Sequence, residues 1–362
     1  MTRPSLIVLC PTVLCLLLVK AALADEDIGP INAARIDTIA FGSCAKQSLP
    51  QPVWDAVVRQ RPDVFLFIGD NVYADKPAAP ESPGDIAAAY RQLGAKPGYQ
   101  RLRRVCPILA TWDDHDFGLN DAGKQYPLKR QSQTLLLSFF DEPAKSPRWS
   151  RDGVYGAWMF GPAEQRAQIL LLDTRFFRDD LLRHPAGRTN GLGPYAPHPD
   201  AGPTLLGEPQ WEWLEAQLNK PAAVRIIASS IQVVPSEHGW EGWCTFPAER
   251  QRLYDLIGKT GAGGVMFVSG DRHLMEISCD RDANTPYPLW DFTSSGMTDP
   301  PGEVNEPNRY RVGPTVKETV FGVIRIDWSQ RPRLTLEGRN QSGALRLRET
   351  LELADLQPAT AG

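Results

Sequence analysis

Short apolar segments that end abruptly in polar residues constrain the fold of this chain more than any other feature. They read FGSC (41–44), FLFIGDNVY (65–73), PILATWDDHD (107–116), ILLLDTR (169–175) and FVSGDRH (267–273). Buried strands of an open α/β sheet show this pattern, because such sheets bind ligands in the crevice at the carboxyl ends of their strands. We therefore expect the five strand ends to line one crevice.

Helical periodicity between these segments predicts an α/β fold. An amphipathic helix beginning at Gln51 lies between predicted strands at 36–43 and 63–69, which is a β-α-β start. Further strands are predicted at 106–111, 168–172, 224–231 and 264–269, and further helices at 85–104, 129–140, 208–219 and 247–257. The last third has only short predicted strands, at 289–293, 321–328, 333–338 and 344–353. Because helices are absent there, we expect the chain to complete a sheet by antiparallel pairing.

The composition is typical of a globular protein, and the charge excludes one class of partner. Of the 362 residues, 42% are hydrophobic, which is enough for a well-buried core. No low-complexity linker divides the chain, so we predict a single domain over residues 25–362. The net charge is −4 with scattered basic residues, which is not a nucleic-acid footprint. The oligomeric state is left open.

The first 24 residues predict a cleavable signal peptide. Arg3 precedes an apolar stretch, and Ala22-Leu23-Ala24 precedes acidic residues. A retained membrane anchor is the alternative, but Lys20 interrupts the apolar run before the roughly 20 residues that a span needs. We expect a periplasmic or secreted protein without a stable membrane span. Four cysteines remain after cleavage, and whether they form a disulfide is open: Cys44, Cys106, Cys244 and Cys279.

The strand ends carry side chains that bind metal ions. The candidate ligands are Cys44, Asp70, Tyr73, Asp114, Asp271 and His273. Cys44, Tyr73 and His273 suit a transition metal, and a thiolate or tyrosinate favours ferric iron, whereas Asp114 and Asp271 suit Ca²⁺, Mg²⁺ or Mn²⁺. Asp70 is the expected bridge, and a dinuclear centre would activate water as hydroxide for attack on a phosphoryl group. Taken singly, each residue has a structural alternative in a turn, an ion-pair loop or the core.

The motifs FGSC, GDNVY, TWDDHDFGLND, LLDTR and SGDRHLMEIS, in this order, resemble the PhoD-like alkaline phosphatases of the metallophosphatase (calcineurin-like phosphoesterase) superfamily. The resemblance covers about residues 36–348. It implies a four-layer αββα sandwich of two mixed β-sheets that hydrolyses phosphate mono- or diesters. It makes Cys44 and Tyr73 ligands of Fe³⁺, Asp70 the bridge, and Asp114 a ligand of Ca²⁺ or of Mg²⁺, Mn²⁺ or Zn²⁺. Asp271 and His273 then close the centre.

The resemblance also suggests a role for His115, and side-chain chemistry and local sequence suggest roles for other polar residues. His115 is expected beside the phosphate, where it stabilises charge or protonates the leaving alkoxide, with Asp116 orienting its imidazole. Arg175 is predicted to clamp phosphate oxygens, and a salt bridge to Asp173 is the alternative. Asn120 and Asp113 are assigned to phosphate contact or to support of the metal ligands. Residues 183–203 are a candidate substrate lid; Trp240, Glu241 and Trp243 line either the pocket or the core; His184, His198 and His238 have no assigned role.

Together these patterns predict an exported metal-dependent phosphoesterase acting on a small phosphate ester through metal-activated hydroxide. A hydrolase with a serine nucleophile is not favoured, because GxSxG is absent and neither Ser43 nor Ser269 has an evident base. The non-enzymatic alternative is an exported protein of the same fold that binds metal or phosphate esters without turnover. That alternative predicts missing ligands, whereas all six ligand residues are present.

Overall fold

The computed structural model describes residues 34–74, 84–187, 191–300 and 306–359. In chain order the strands and helices are β1 (Thr38–Gly42), α1 (Val53–Arg59), β2 (Val64–Ile68), α2 (Gly84–Gly94), α3 (Pro97–Val105), β3 (Ile108–Thr111), α4 (Asp114–Phe117), α5 (Lys129–Phe139), β4 (Gly156–Phe160), β5 (Ala167–Leu171), α6 (Gly207–Leu218), β6 (Val224–Ser229), α7 (Pro247–Thr260), β7 (Val265–Ser269), β8 (Met275–Asp280), β9 (Leu289–Ser294), β10 (Arg311–Val316), β11 (Val320–Asp327), β12 (Arg333–Asn340) and β13 (Leu345–Glu352). Most predicted elements are confirmed within one to three residues.

The strands of the described residues form two mixed sheets. The first sheet has the order β13-β12-β11-β1-β2-β3, and the second has the order β10-β8-β9-β7-β6-β5-β4. Each has a parallel part, made by β1, β2 and β3 at one end of the first sheet and by β5, β6, β7 and β9 within the second. Antiparallel strands extend both parallel parts. The predicted α/β class with two mixed sheets is confirmed.

Strand β2 shows why the sheets and helices form layers. Its five residues are all buried, and alternate side chains point to opposite faces of the sheet. Val64, Leu66 and Ile68 join the apolar core that the first sheet shares with the second. Phe65 and Phe67 lie on the other face, where helices α1 and α3 cover the sheet. A strand that buries both faces in this way lies between a sheet and a helical layer.

The end of the chain pairs with its beginning. Strand β11 runs antiparallel to β1 from Thr38↔Arg325 to Phe41↔Gly322, and β12 and β13 follow as antiparallel neighbours. The predicted antiparallel completion of a sheet is therefore confirmed. Strands β4, β8 and β10 were not predicted, and in β8 and β10 polar and glycine residues interrupt the apolar pattern.

The sequence predicted one continuous helix where the structure has two. The helix expected over residues 85–104 is two helices, α2 and α3, separated at Ala95 and Lys96. Pro97 starts α3, and a proline ring fits the first turn of a helix but clashes within one. The residue before a proline is also driven toward extended backbone, and Lys96 has ψ 121°.

The described residues bear on two further expectations. All four cysteines outside the predicted signal peptide are free and buried, so none of them forms a disulfide. No helix in the described ranges is long and apolar enough to cross a membrane. The predicted signal peptide, residues 1–24, lies outside those ranges.

Candidate metal centre

The carboxyl ends of strands from both sheets meet at one place. Ser43, just after β1, forms an isolated parallel bridge with Ser295, just after β9, and so joins the two sheets at the carboxyl ends of these strands. The ends of β2, β3 and β7 lead into Asp70, Asp114 and Asp271 at the same place. The ends of four of the five predicted strands, β1, β2, β3 and β7, therefore lie together.

Two groups of ligand atoms share the carboxylate of Asp70. The first group contains Cys44, Asp70 and His273, and the second contains Asp70, Asp114 and His115; within each group the ligand atoms lie within 4.8 Å of one another. The Cys44 Sγ is 3.2 Å from the Asp70 Oδ2. A carboxylate that belongs to both groups has the position of a bridge between two cations.

The phenol of Tyr73 completes the first group. Its hydroxyl lies 3.3 Å from the Asp70 Oδ2 and 3.1 Å from the His273 Nε2. The His273 Nδ1 contacts the carbonyl oxygen of Asp299 at 2.6 Å, which fixes the ring and directs Nε2 toward Tyr73. The first group therefore offers one sulfur, one nitrogen and two oxygen donors, a set that suits a transition metal.

The second group contains an oxygen without a partner. Asp114 Oδ2 accepts a hydrogen bond from the backbone N–H of Asp121 at 2.8 Å. Asp114 Oδ1 is buried and has no hydrogen-bond partner among the described residues. A buried carboxylate oxygen without a partner is costly unless a cation binds it. The residues present therefore fit a second cation beside Asp70.

The backbone is strained where the predicted ligands lie. Among the described residues, eight non-glycine residues have positive φ, and four of them are predicted ligands: Cys44 (58°), Asp70 (49°), Asp271 (67°) and His273 (55°). The left-handed conformation costs about 1–2 kcal/mol for a residue with a Cβ. Gly69 has φ 105°, and a Cβ there would lie 2.6 Å from the Cβ of Asp113. Strain of this kind is concentrated at functional sites.

Burial makes the charged forms of these groups unfavourable in the absence of a cation. Burial, together with the neighbouring Cys44 side chain, raises the pKa of Asp70 well above its usual range. Burial also raises the pKa of Cys44 to about 11 and the pKa values of Tyr73 and Asp271 well above their ordinary ones. Because positive charge nearby favours the ionised forms, bound cations would reverse these shifts.

Asp271 and Asn120 are placed less centrally. The carboxylate of Asp271 belongs to neither three-residue group, and its carbonyl oxygen is 3.9 Å from the Cys44 Sγ. Arg272 approaches that carboxylate at 3.8 Å. Asn120 is exposed on the turn after α4. A ligand role for Asp271 and a phosphate contact for Asn120 therefore stay predictions.

Arg175 is buried and already paired. Its guanidinium forms ion pairs with Asp113 and with Glu241, the latter at 2.7 Å, and its side chain is fully buried. The alternative salt bridge to Asp173 does not involve the guanidinium, because Asp173 accepts from the backbone N–H of Arg175. This geometry supports a role in holding Asp113, and it gives no support to the predicted phosphate clamp.

Several contacts could not be read from the sequence. Ser295 Oγ lies 3.0 Å from the Cys44 Sγ and accepts a hydrogen bond from the His273 N–H at 2.8 Å, although Ser295 is 251 residues from Cys44. Both carboxylate oxygens of Asp116 accept from other groups: Oδ2 from Asn71 and Tyr90, and Oδ1 from the Asp113 N–H. Asp116 thus holds the turns that carry Asp70 and Asp114, and the geometry gives no support to its predicted role in orienting His115.

The loop predicted as a lid packs beside the second group. The backbone N–H groups of Gly193 and Tyr195 donate to the carbonyls of His238 and Gly239, at 2.8 and 2.9 Å. The Tyr195 hydroxyl donates to the carboxylate of Asp121. The sequence left open whether Trp240, Glu241 and Trp243 line a pocket or the core, and Trp243 is fully buried in the core. Residues 188–190 of the loop lie outside the described ranges.

Comparisons with known proteins identify similar chains and similar folds. Alkaline phosphatase D of Bacillus subtilis (strain 168) is 22% identical over 273 residues, which cover 65% of this chain and 46% of that protein, so the chain spans about half the length of this curated relative. A solved structure described as PhoD is similar with TM-score 0.65 and 18% identity, over 92% of this chain and 73% of that one. A purple acid phosphatase from yellow lupin (Lupinus luteus) seeds is similar with TM-score 0.61 and 13% identity, over 89% and 55%.

At these identities the two solved structures show the fold, and they confirm the predicted metallophosphatase architecture. Residues 39–347 match the family described as PhoD-like phosphatase, a range that includes every predicted ligand. The chain therefore belongs to the PhoD-like phosphatase family.

Proposed function

We propose that this protein is an exported metal-dependent phosphoesterase that hydrolyses small phosphate esters. The observation that carries the proposal is the position of Asp70, whose carboxylate belongs to two adjacent groups of ligand atoms at the meeting point of two sheets. Membership of a phosphatase family supports the same reaction class. Export is proposed from residues 1–24 alone, and whether monoesters or diesters are preferred is addressed by the experiment below.

Each of the two groups of ligand atoms would bind one metal ion. Cys44, Tyr73 and His273 would hold ferric iron on one side of Asp70, because thiolate and phenolate favour that ion. Asp114 would hold Ca²⁺, Mg²⁺, Mn²⁺ or Zn²⁺ on the other side, with Asp271 as a further proposed ligand. When bound, such a pair of cations polarises a phosphoryl oxygen and lowers the pKa of water enough for hydroxide attack near neutral pH.

His115 is the proposed proton donor to the leaving alkoxide. It lies in the turn of α4 beside Asp114, and its ring packs against the ring of Tyr73 with centroids 4.2 Å apart. Its backbone N–H donates to the Asp70 Oδ1 at 3.3 Å, which holds the turn against the bridging carboxylate. A ring nitrogen of His115 also lies among the second group of ligand atoms, so the same position would serve a ligand of the second cation.

The test combines metal analysis with turnover. The full chain is purified, its metals are measured by elemental analysis, and hydrolysis of p-nitrophenyl phosphate and its bis ester is followed with and without EDTA. We expect at least one transition metal per molecule, turnover of one or both esters, loss of turnover in EDTA and recovery on adding metal. Turnover that EDTA leaves unchanged contradicts the metal mechanism, and bound metal without turnover supports the non-catalytic alternative.

Tyr73→Phe tests the assignment of ferric iron. A phenolate bound to ferric iron gives a visible charge-transfer band, and we expect this variant to lose the band while retaining the fold. Tyr254→Phe is the matched control, because Tyr254 is a buried tyrosine of α7 that belongs to neither ligand group. A band that persists in Tyr73→Phe excludes Tyr73 as the iron ligand.

A further inference from the structure

The arginines beside the candidate metal centre are all engaged by carboxylates. Arg175 pairs with Asp113 and Glu241, and Arg178 pairs with Glu241 at 3.1 Å. Arg272 pairs with Glu306. A phosphate ester approaching this acid-rich crevice therefore meets no free guanidinium from these three residues.

Lys46 is differently placed. Its Nζ lies 5.7 Å from the centroid of the Tyr73 ring, on the side of the centre formed by Cys44 and Tyr73. Among the described residues, Lys124 and Lys259 form ion pairs with carboxylates, whereas Lys46 does not. Its side chain is half-buried, whereas the side chains of Cys44 and Asp70 are buried.

The backbone of Lys46 is fixed in place. Its N–H donates to the Thr298 Oγ1 at 2.7 Å, and its carbonyl accepts from the N–H of Leu49 at 3.0 Å. The preceding residue, Ala45, donates its N–H to the carbonyl of Asp70 at 3.0 Å. A lysine on so constrained a segment, two residues after Cys44, keeps its ammonium group within reach of an anion bound at the centre.

We propose that Lys46 binds an anionic oxygen of the substrate and favours phosphomonoesters over phosphodiesters, an inference that rests on the proposed phosphoesterase function. The flexible stem of lysine lets its ammonium group bind a phosphate oxygen as a point charge. A phosphomonoester is close to a dianion at pH 8, because its second pKa is about 6, whereas a diester carries one negative charge. The additional anionic oxygen of the monoester is what Lys46 recognises.

Lys46→Met tests this inference against Lys259→Met. Both variants lose one positive charge, but Lys259 pairs with Glu215 on the exposed surface of the helices. At pH 8 we expect Lys46→Met to lower kcat/KM for p-nitrophenyl phosphate about tenfold, mainly through KM, and to lower that for the bis ester less than about threefold. Lys46→Arg retains the charge and should recover most of the monoester activity, and Lys259→Met should change neither ester.

Binding of inorganic phosphate provides a readout without turnover. Calorimetric titration of the metal-loaded protein should give a Kd about tenfold higher for Lys46→Met than for wild type, at equal metal content. An unchanged ratio of monoester to diester activity with an unchanged phosphate Kd overturns the proposal. So does a loss of metal in Lys46→Met, because Lys46 would then act on assembly of the centre. If wild type shows no metal-dependent turnover, the proposed function fails, and phosphate binding still decides whether Lys46 is an anion ligand.

Discussion

Two neighbouring clusters of buried carboxylates differ in what neutralises them. Asp113 and Glu241 contact the guanidinium group of Arg175, and all three side chains are almost completely buried. Asp70 and Asp114 are equally buried, but their side chains form no ion pair with an arginine or lysine of the described residues. Asp113 and Asp114 are adjacent in sequence and yet belong to different clusters.

The difference separates a supporting network from a binding site. The guanidinium of Arg175 compensates the charge of the carboxylates that it pairs with, and removing either partner of such a buried pair leaves an uncompensated charge. Asp70, a buried carboxylate without such a partner, is incomplete until a cation binds or a proton is taken up. Without a metal, the raised pKa of Asp70 favours its protonated, neutral form. In the functional protein, a bound metal ion would neutralise the carboxylate instead. This contrast gives opposite predictions for the stability of variants in the two clusters.

The largest effect is expected for Asp70→Asn. Removal of the shared ligand should lower kcat/KM on the order of 10³-fold, because metal binding contributes several kcal/mol to stabilisation of the transition state. In EDTA, the same variant should unfold at a higher urea concentration than wild type, because an amide relieves the cost of a buried carboxylate. Enzyme assays, metal analysis and urea denaturation measure these opposite changes.

The control for Asp70→Asn is Asp55→Asn, which removes an exposed carboxylate that pairs with Arg101. We expect it to leave activity and metal content unchanged. If Asp70→Asn retains both metals, Asp70 is not the bridge. If it destabilises the metal-free protein, Asp70 belongs with the structural carboxylates, and the comparison fails.

Arg175→Met should have the opposite signature. It leaves Asp113 and Glu241 buried without their guanidinium partner, and breaking such a buried pair costs about 3–5 kcal/mol in the free energy of unfolding. Urea denaturation in EDTA measures this loss without a contribution from bound metal. Arg252→Met, which removes one partner of an exposed pair with Glu208, should cost less than about 1 kcal/mol. A raised KM for phosphate esters in Arg175→Lys with unchanged stability would instead restore Arg175 as a phosphate clamp.

The contrast also shows what the sequence could reveal about the site. Asp70, Asp114 and His273 lie two to four residues after apolar strands, and the shared geometry of strand ends places such residues together. The partners of Arg175 were not predictable in the same way. Glu241 lies 66 residues from Arg175 in a loop with no regular pattern, and nothing in the sequence assigned an arginine partner to Asp113. Which of two adjacent carboxylates faces a cation depends on the turn of α4, which tertiary contacts determine.

More of the fold than of the candidate metal centre could be predicted from the sequence. Continuous apolar runs such as 64–68 identify strands buried on both faces, and most of the predicted helices follow from their periodicity. Strand β8, MEISCD, is completely buried although half of its residues are polar, because Glu276 is satisfied by Gln232 and Arg311. Pairing of that kind between distant residues is invisible to a pattern of hydrophobicity.

His238 is a third kind of buried titratable group. It neither pairs with an arginine nor belongs to the candidate metal ligands. Burial and the nearby Arg272 lower its pKa to about 3, so the folded protein holds it neutral. Its Nδ1 accepts a hydrogen bond from the Trp240 N–H at 3.0 Å, which requires that nitrogen to be unprotonated. Below pH 6.5 the unfolded chain takes up a proton at this residue and the folded protein does not. The free energy of unfolding should therefore fall by about 1.4 kcal/mol per pH unit between about pH 6.5 and pH 3 on account of His238.

His238→Gln isolates this contribution, because the amide oxygen of glutamine can accept the same hydrogen bond without titrating. Between pH 8 and pH 5, the free energy of unfolding of wild type should fall by about 2 kcal/mol more than that of His238→Gln. Urea denaturation in EDTA measures both values. The control is His184→Gln: His184 is exposed, and its Nδ1 also accepts a backbone N–H, from Ala186 at 3.2 Å. Its profile should match that of wild type. Parallel profiles for wild type and His238→Gln would mean that the folded protein tolerates a charged imidazole at this position, and that a buried ionisable group here needs neither a partner nor a cation to stabilise its charge.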